Sequence, residues 1–242
     1  MPVGSDSQLT LQLAISEPLN SYNIPDTQLD EDNGWPNVEG RIAFGLGKPA
    51  PIGIGLLTQR PLEVGISGVV GQLRRTAQPP AAPRRVVSDV YGVAVDYRVN
   101  LAHFFGFKEA FGLKGEVYTG QALGAYNGGI LQTLDAVTWK PIRAQGGWVE
   151  GFAYLTPNLH FHGGIGIDHA NSNDITGIPN TDFGRTSNRT IWSNLIWDVN
   201  EAFRLAFEVT NRETYYKEPT NLPNNGWGFH AQLSWAFDKW LR

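Results

Sequence analysis

Hydrophobic and polar residues alternate along most of this chain. The clearest case is 190–210, TIWSNLIWDVNEAFRLAFEVT, where Ile191, Ser193, Leu195, Trp197 and Val199 share one side of an extended backbone and Asn194 and Asp198 lie on the other. After a polar turn at 200–202 the alternation resumes, with Phe203, Leu205, Phe207 and Val209 opposing Arg204, Ala206, Glu208 and Thr210. A period of two sends successive side chains to opposite faces, so the segment predicts a β-hairpin with one apolar and one wet face.

The same pattern predicts eight further strands. Leu9, Leu11, Leu13 and Ile15 mark 8–16; Val38, Ile42, Phe44 and Leu46 mark 38–47; Leu62, Val64, Ile66 and Val70 mark 62–70. Tyr91, Val93, Val95, Tyr97, Val99 and Leu101 oppose Asp96, Arg98 and Asn100 over a length close to the roughly 9 to 11 residues of a tilted membrane strand. Phe111, Leu113 and Val117 oppose Lys114, Glu116 and Tyr118, and Leu159, Phe161, Ile165 and Ile167 oppose His160, His162 and Asp168. Trp227, Phe229, Leu233, Trp235 and Phe237 begin the last strand. In 146–155 the phase is ambiguous, because Trp148, Phe152 and Tyr154 share parity with Glu150 while Val149, Ala153 and Leu155 share the other. Ten strands result in all.

Connections between them decide the architecture. The stretch 71–86 carries Arg74, Arg75, Arg84 and Arg85 around a Pro/Ala tract and reads as an irregular loop. With 17–37, 120–141, 169–188 and 216–225 it belongs to a set of long links that alternate with short ones at 103–110, 156–158 and 200–202 and an intermediate one at 48–61. An up-and-down membrane barrel has short turns at one end and long loops at the other, whereas a sandwich mixes hairpins with crossing connections. The expectation is an all-β fold: one domain over 1–242, an antiparallel up-and-down transmembrane β-barrel or the C-terminal part of a larger one.

Composition narrows the choice of function. With 28 glycines and 12% aromatic residues the chain suits a tight-turned sheet, and no run of apolar residues is long enough for a membrane helix. The absence of cysteine removes disulfides and thiolate metal sites, and a net charge of −4 offers no basic face for nucleic acid. The opening MPVGSDSQLT lacks the basic start and apolar run of a secretory signal, so such a segment is expected to have been removed or to lie outside this sequence.

On the wet face, opposite charges recur two apart at Glu39/Arg41, Asp96/Arg98 and Lys114/Glu116, roughly 7 Å from each other on a strand. With Glu63, Glu150, Arg204 and Glu208 they are expected to line a pore and set its ion preference. Counting Asp168 as well, acids outnumber bases on this face, which predicts a mild cation preference. The four arginines of 71–86 would form an inward anion-attracting constriction or meet lipopolysaccharide phosphates. Tyr97, Trp197, Phe203, Trp227, Trp235, Phe237 and Trp240 fall towards strand ends, where barrels place aromatic girdles. His160, His162 and Asp168 share a face at a spacing that could offer metal ligands, but no further ligand stands out and no metal or cofactor is expected. Asp168-His169 is the only adjacent Asp-His pair a hydrolase could use.

The stretches GRIAFGLG (40–47), RPLEVGISG (60–68) and GGWVEGFAYLTPNLHFHGGIGID (146–168) resemble strand and turn segments of Gram-negative outer-membrane porins of the DcaP-like kind. The resemblance implies a bacterial outer-membrane location, passive diffusion of small hydrophilic solutes or ions, contact with lipid and lipopolysaccharide, a preference for anionic solutes, and no catalysis. A homotrimer is the assembly considered. Such porins usually end on an aromatic residue, whereas Leu241 and Arg242 follow Trp240 here. Two other classes stay open: an outer-membrane barrel hydrolase with its site at the rim, and a soluble β-sandwich that binds glycan.

Overall fold

The computed structural model describes residues 6–16, 35–54, 58–77, 84–180, 184–219 and 224–236, with the side chains of 75–77 and 84–85 left out. Its strands are β1 (Ser7–Ser16), β2 (Asn37–Leu46), β3 (Ala50–Pro51), β4 (Thr58–Gln59), β5 (Leu62–Ala77), β6 (Arg84–Asn100), β7 (Phe111–Gln121), β8 (Arg143–Thr156), β9 (Leu159–Ala170), β10 (Arg185–Asp198), β11 (Phe203–Tyr216) and β12 (Asn225–Trp235). All but β3 and β4 form one ten-stranded sheet in the order β1-β2-β5-β6-β7-β8-β9-β10-β11-β12, every neighbouring pair antiparallel. This is the expected all-β meander. It does not close, however. Among the described residues β1 pairs only with β2 and β12 only with β11, so the sheet keeps two free edges.

The registers sort the sheet into two faces. Leu13, Ile42, Ile66, Val95, Val117, Ile165, Leu195, Phe207 and Phe229 sit on the outer face, each well exposed, from 38% for Ile165 to 76% for Phe229. The ambiguous strand β8 is settled by its partners. Glu150 stands opposite Lys114, which puts Trp148, Glu150, Phe152 and Tyr154 on the polar face and leaves Val149 and Leu155 outside.

Of the stretch 71–86, residues 71–77 and 84–86 are strand rather than irregular loop. Its prolines, Pro79, Pro80 and Pro83, are confined to the link 78–83, while Leu73, Val86, Val87 and Val90 continue strands β5 and β6 on either side of it. Strand-favouring residues therefore extend the hairpin up to the proline tract.

The opposite end of the sheet carries the links 47–61, 101–110, 157–158 and 199–202. In 101–110 the chain makes one short helix, α1 (Leu101–Phe105), capped by the Asn100 side chain and ended by Gly106 in the left-handed conformation at φ 72°. The link 47–61 holds the β3–β4 hairpin and reaches across the polar face to the β8–β9 turn, where the Ile54 amide donates to the Pro157 carbonyl at 2.9 Å. Ile52 packs there against Phe152 and Tyr154.

Candidate functional site

Every residue expected to line a pore lies on the polar face: Glu39, Arg41, Glu63, Asp96, Arg98, Lys114, Glu116, Glu150, Arg204 and Glu208. The opposite charges that recur two apart on one strand do not pair with each other; the ion pairs form across strands, between direct neighbours for Lys114–Glu150 and Arg204–Asp198 and over a longer reach for Arg41. Arg41 reaches over Gly65 of the intervening strand to hold Asp96 at 2.5 and 3.0 Å, and it also takes Glu63 at 3.0 Å. A Cβ at Gly65 would stand 2.7 Å from both Arg41 Nη2 and Asp96 Oδ1, so the pair depends on that glycine.

A second network crosses five strands. Lys114 on β7 holds Glu150 on β8 at 2.8 Å, and Glu150 accepts from Trp192 Nε1 at 3.0 Å and meets His162 Nδ1 at 2.6 Å. His162 Nε2 lies 2.8 Å from His160 Nδ1, His160 Nε2 lies 3.2 Å from Asp198, and Arg204 on β11 donates to Asp198 at 2.5 Å. His160 and Asp198 are buried, and Tyr154 stacks on His160 at 4.5 Å. Sequence spacing placed both histidines on one face but left their acidic partners unseen, since these come from neighbouring strands.

Among the described residues, the segment that folds onto the polar face is 122–142. Asp168 anchors it, accepting from the Tyr118 hydroxyl at 2.5 Å and from the amides of Gly129 and Ile130 at 3.0 and 2.6 Å. The Tyr126 hydroxyl donates to Glu39 at 2.9 Å and accepts from Asn37 at 2.8 Å, which joins the segment to β2. Apolar residues complete the hold: Leu134 and Ala122 pack on Leu73 and Val90, and Ile130 and Ile142 pack on Ala170 and Ile175. Leu73 and Val90 lie in the polar phase of their strands, a sequence signal of something packed inside. Ala122, Asn127, Ile130, Leu131 and Trp139 all have φ between 55 and 62°, a costly conformation for residues other than glycine that these contacts sustain.

Asp135 fixes the outer part of this segment. It accepts from the Thr138 amide and hydroxyl at 2.7 Å each and from the Thr176 amide at 2.7 Å. Burial alone would raise its pKa, but these hydrogen bonds outweigh burial and hold it below the usual value. Arg143 grips Asp174 with two bonds of 2.7 Å, which lowers the Asp174 pKa in the same way.

Beneath the segment lies a cavity of about 570 Å³, walled by Gln12, Glu39, Arg41, Glu116 and Tyr118 and roofed by Leu123 and Tyr126. Of the residues expected to line a pore, Glu39, Arg98, Glu116 and Glu208 have no ion-pair partner among the described residues.

Other candidates fall elsewhere. Arg74 lies on the outer phase of β5, and its Nε donates to Gln72 at 3.2 Å; Arg75, Arg84 and Arg85 are strand residues whose side chains are outside the description. Tyr97, Trp197, Phe203 and Trp235 share the outer face at the short-link end, and Trp227 marks the other end with Tyr91 and Tyr215. Phe237 and Trp240 lie outside the described residues. Among the described residues no group of three His, Cys, Asp or Glu side chains is placed to hold a metal ion. Asp168 and His169 point to opposite faces, so the pair a hydrolase would need is split by the sheet. Compared with protein-family models, with curated proteins and with solved structures, the chain matches none of them.

Proposed function

We propose that this chain is an outer-membrane porin, similar in kind to the DcaP-like porins, through which small hydrophilic solutes and ions diffuse passively and which catalyses no reaction. One observation carries the reading: a single up-and-down sheet exposes an apolar outer face across all ten strands while its inner face gathers the charged residues and a folded-in segment. A soluble sandwich would cover that apolar face with a second sheet. The aromatic rows fit a bilayer. Trp227 and Trp235 mark the two ends of β12, eight residues apart; at about 3.4 Å per residue and a tilt of about 35–45° they bracket roughly 20 Å of height, close to the apolar band of about 25 Å in membrane barrels.

In hydrocarbon the free edges of β1 and β12 must be paired, because unpaired backbone groups cost several kcal/mol each there. With ten alternating strands β1 and β12 run antiparallel, and Leu11, Leu13, Phe229 and Leu233 lie on the same face, so joining the two edges keeps the apolar surface in phase. Strands beyond these residues, or a homotrimeric neighbour, would have to preserve that phase. Lipid meets the outer face, and lipopolysaccharide would meet the end that carries 122–142.

Liposome swelling tests the proposal. Vesicles reconstituted with the protein should admit small sugars and amino acids at rates that fall with solute size. Vesicles that stay tight, or protein that remains monodisperse without detergent or lipid, would contradict it.

A further inference from the structure

The chain Asp198–His160–His162–Glu150 raises a question of proton number. It contains three hydrogen-bonding contacts: carboxylate to imidazole at 3.2 Å, imidazole to imidazole at 2.8 Å, and imidazole to carboxylate at 2.6 Å. Each contact needs one proton, yet two neutral imidazoles carry only two. Without a third, either two nitrogen lone pairs face each other at 2.8 Å or one ring turns its N–H away from its carboxylate.

We propose that this chain is a proton-binding site in the pore wall, holding its extra proton on His162, and that its occupancy makes the ion preference of the channel depend on pH. The proposal rests on reading this face as a pore wall. Geometry assigns the proton. A charge-assisted bond is short, as the 2.6 Å contact of His162 with Glu150 is, whereas the 3.2 Å contact of His160 with Asp198 has the length of a neutral N–H donor. His162 then donates from both nitrogens, to Glu150 and to His160, and His160 donates its own N–H to Asp198.

Every element packed on the chain contributes a charged or polar neighbour. Lys114 comes from β7, Tyr154 from β8, Trp192 and Asn194 from β10, and Arg204 and Glu208 from β11, with His230 of β12 opposite Glu208. Lys114 and Arg204 already offset Glu150 and Asp198, so the proton adds one net positive charge to this patch. His160 is sealed by Tyr154 and Asp198, but His162 is 15% exposed, which gives the proton a route to the lumen.

The test has two arms. In detergent or lipid, nitrogen-15 NMR of the five histidines between pH 8 and pH 5.5 should show His162 becoming doubly protonated while His160 stays singly protonated at Nε2, with a coupling across the His162–His160 bond. In bilayers, reversal potentials should show cation preference declining over the same range, and His162→Gln should remove most of that decline. The charged groups left in the variant, including His169 and His230, supply the baseline. A His162 that stays singly protonated at pH 5.5, or protonates without coupling to His160, overturns the proposal. So does an equal pH shift in wild type and variant. A protein that forms no channel refutes the porin reading, and the NMR arm still decides whether the proton is held.

Discussion

Replacing Asp168 by Ala should release the segment 122–142 from the pore wall. The carboxylate accepts three hydrogen bonds, from Tyr118, Gly129 and Ile130. Bonds to a charged group contribute about 1.5–3 kcal/mol each, and because the freed amides find water once the segment opens, the combined loss should be about 3–5 kcal/mol. At about 1.4 kcal/mol per tenfold, the closed-to-open ratio falls by at least about a hundredfold, and the left-handed backbone at Ile130 and Leu131 adds to the drive outward. Asp168→Asn keeps one acceptor oxygen but sets its amide against one of the donors it replaces, so it should open the segment less. Three measurements read the outcome: single-channel conductance, which should rise; proteolysis within 122–142, which should quicken; and the melting of the sheet, which should change little. Unchanged conductance with unchanged protection of 122–142 would show that Asp168 does not hold it.

Three further outcomes follow from the same geometry. Gly65→Ala places a methyl group 2.7 Å from Arg41 Nη2 and Asp96 Oδ1, so it should break that pair at a cost of about 1–3 kcal/mol; equilibrium unfolding that matches wild type would contradict this. Ile66→Arg, on the outer face, should cost about 2–4 kcal/mol if that face meets lipid and nearly nothing if it meets water, as judged by folding into lipid vesicles. Asp135, with its pKa held below the usual value, stabilises the folded segment above the ordinary aspartate range of about 3.9 and loses that contribution as pH falls through its lower folded value. Hydrogen exchange within 122–142 should therefore stay protected at neutral pH and accelerate only in strong acid, and protection that fades between pH 7 and pH 5 would point to another group.

The two faces were legible in the sequence because strand parity is local. Once Arg41, Asp96, Lys114 and Arg204 alternate with apolar neighbours, no tertiary information is needed to place them together. Which charge meets which was not legible, because register between strands decides it: Arg41 finds Asp96 only because β5 offers Gly65 between them. The inward segment 122–142 was not legible for a similar reason: its anchors are Asp168 and the misphased pair Leu73 and Val90, which lie far from 122–142 in sequence or in a strand that looks regular. The histidine chain needed the phase of β8, which was ambiguous because apolar residues occupy both of its faces: Trp148, Phe152 and Tyr154 beside Glu150 on one, Val149, Ala153 and Leu155 on the other.

Recording current across a planar bilayer with unequal potassium chloride on its two sides tests the central claim most directly. Stepwise conductance with a mild preference for potassium is the expected result, since Glu39, Glu116 and Glu208 have no ion-pair partner among the described residues, against Arg98 alone of the four wall bases, while Arg41, Lys114 and Arg204 are each held by an acid. Folded protein that inserts without producing steps would contradict the account, and steps with a strong chloride preference would contradict its assignment of the wall.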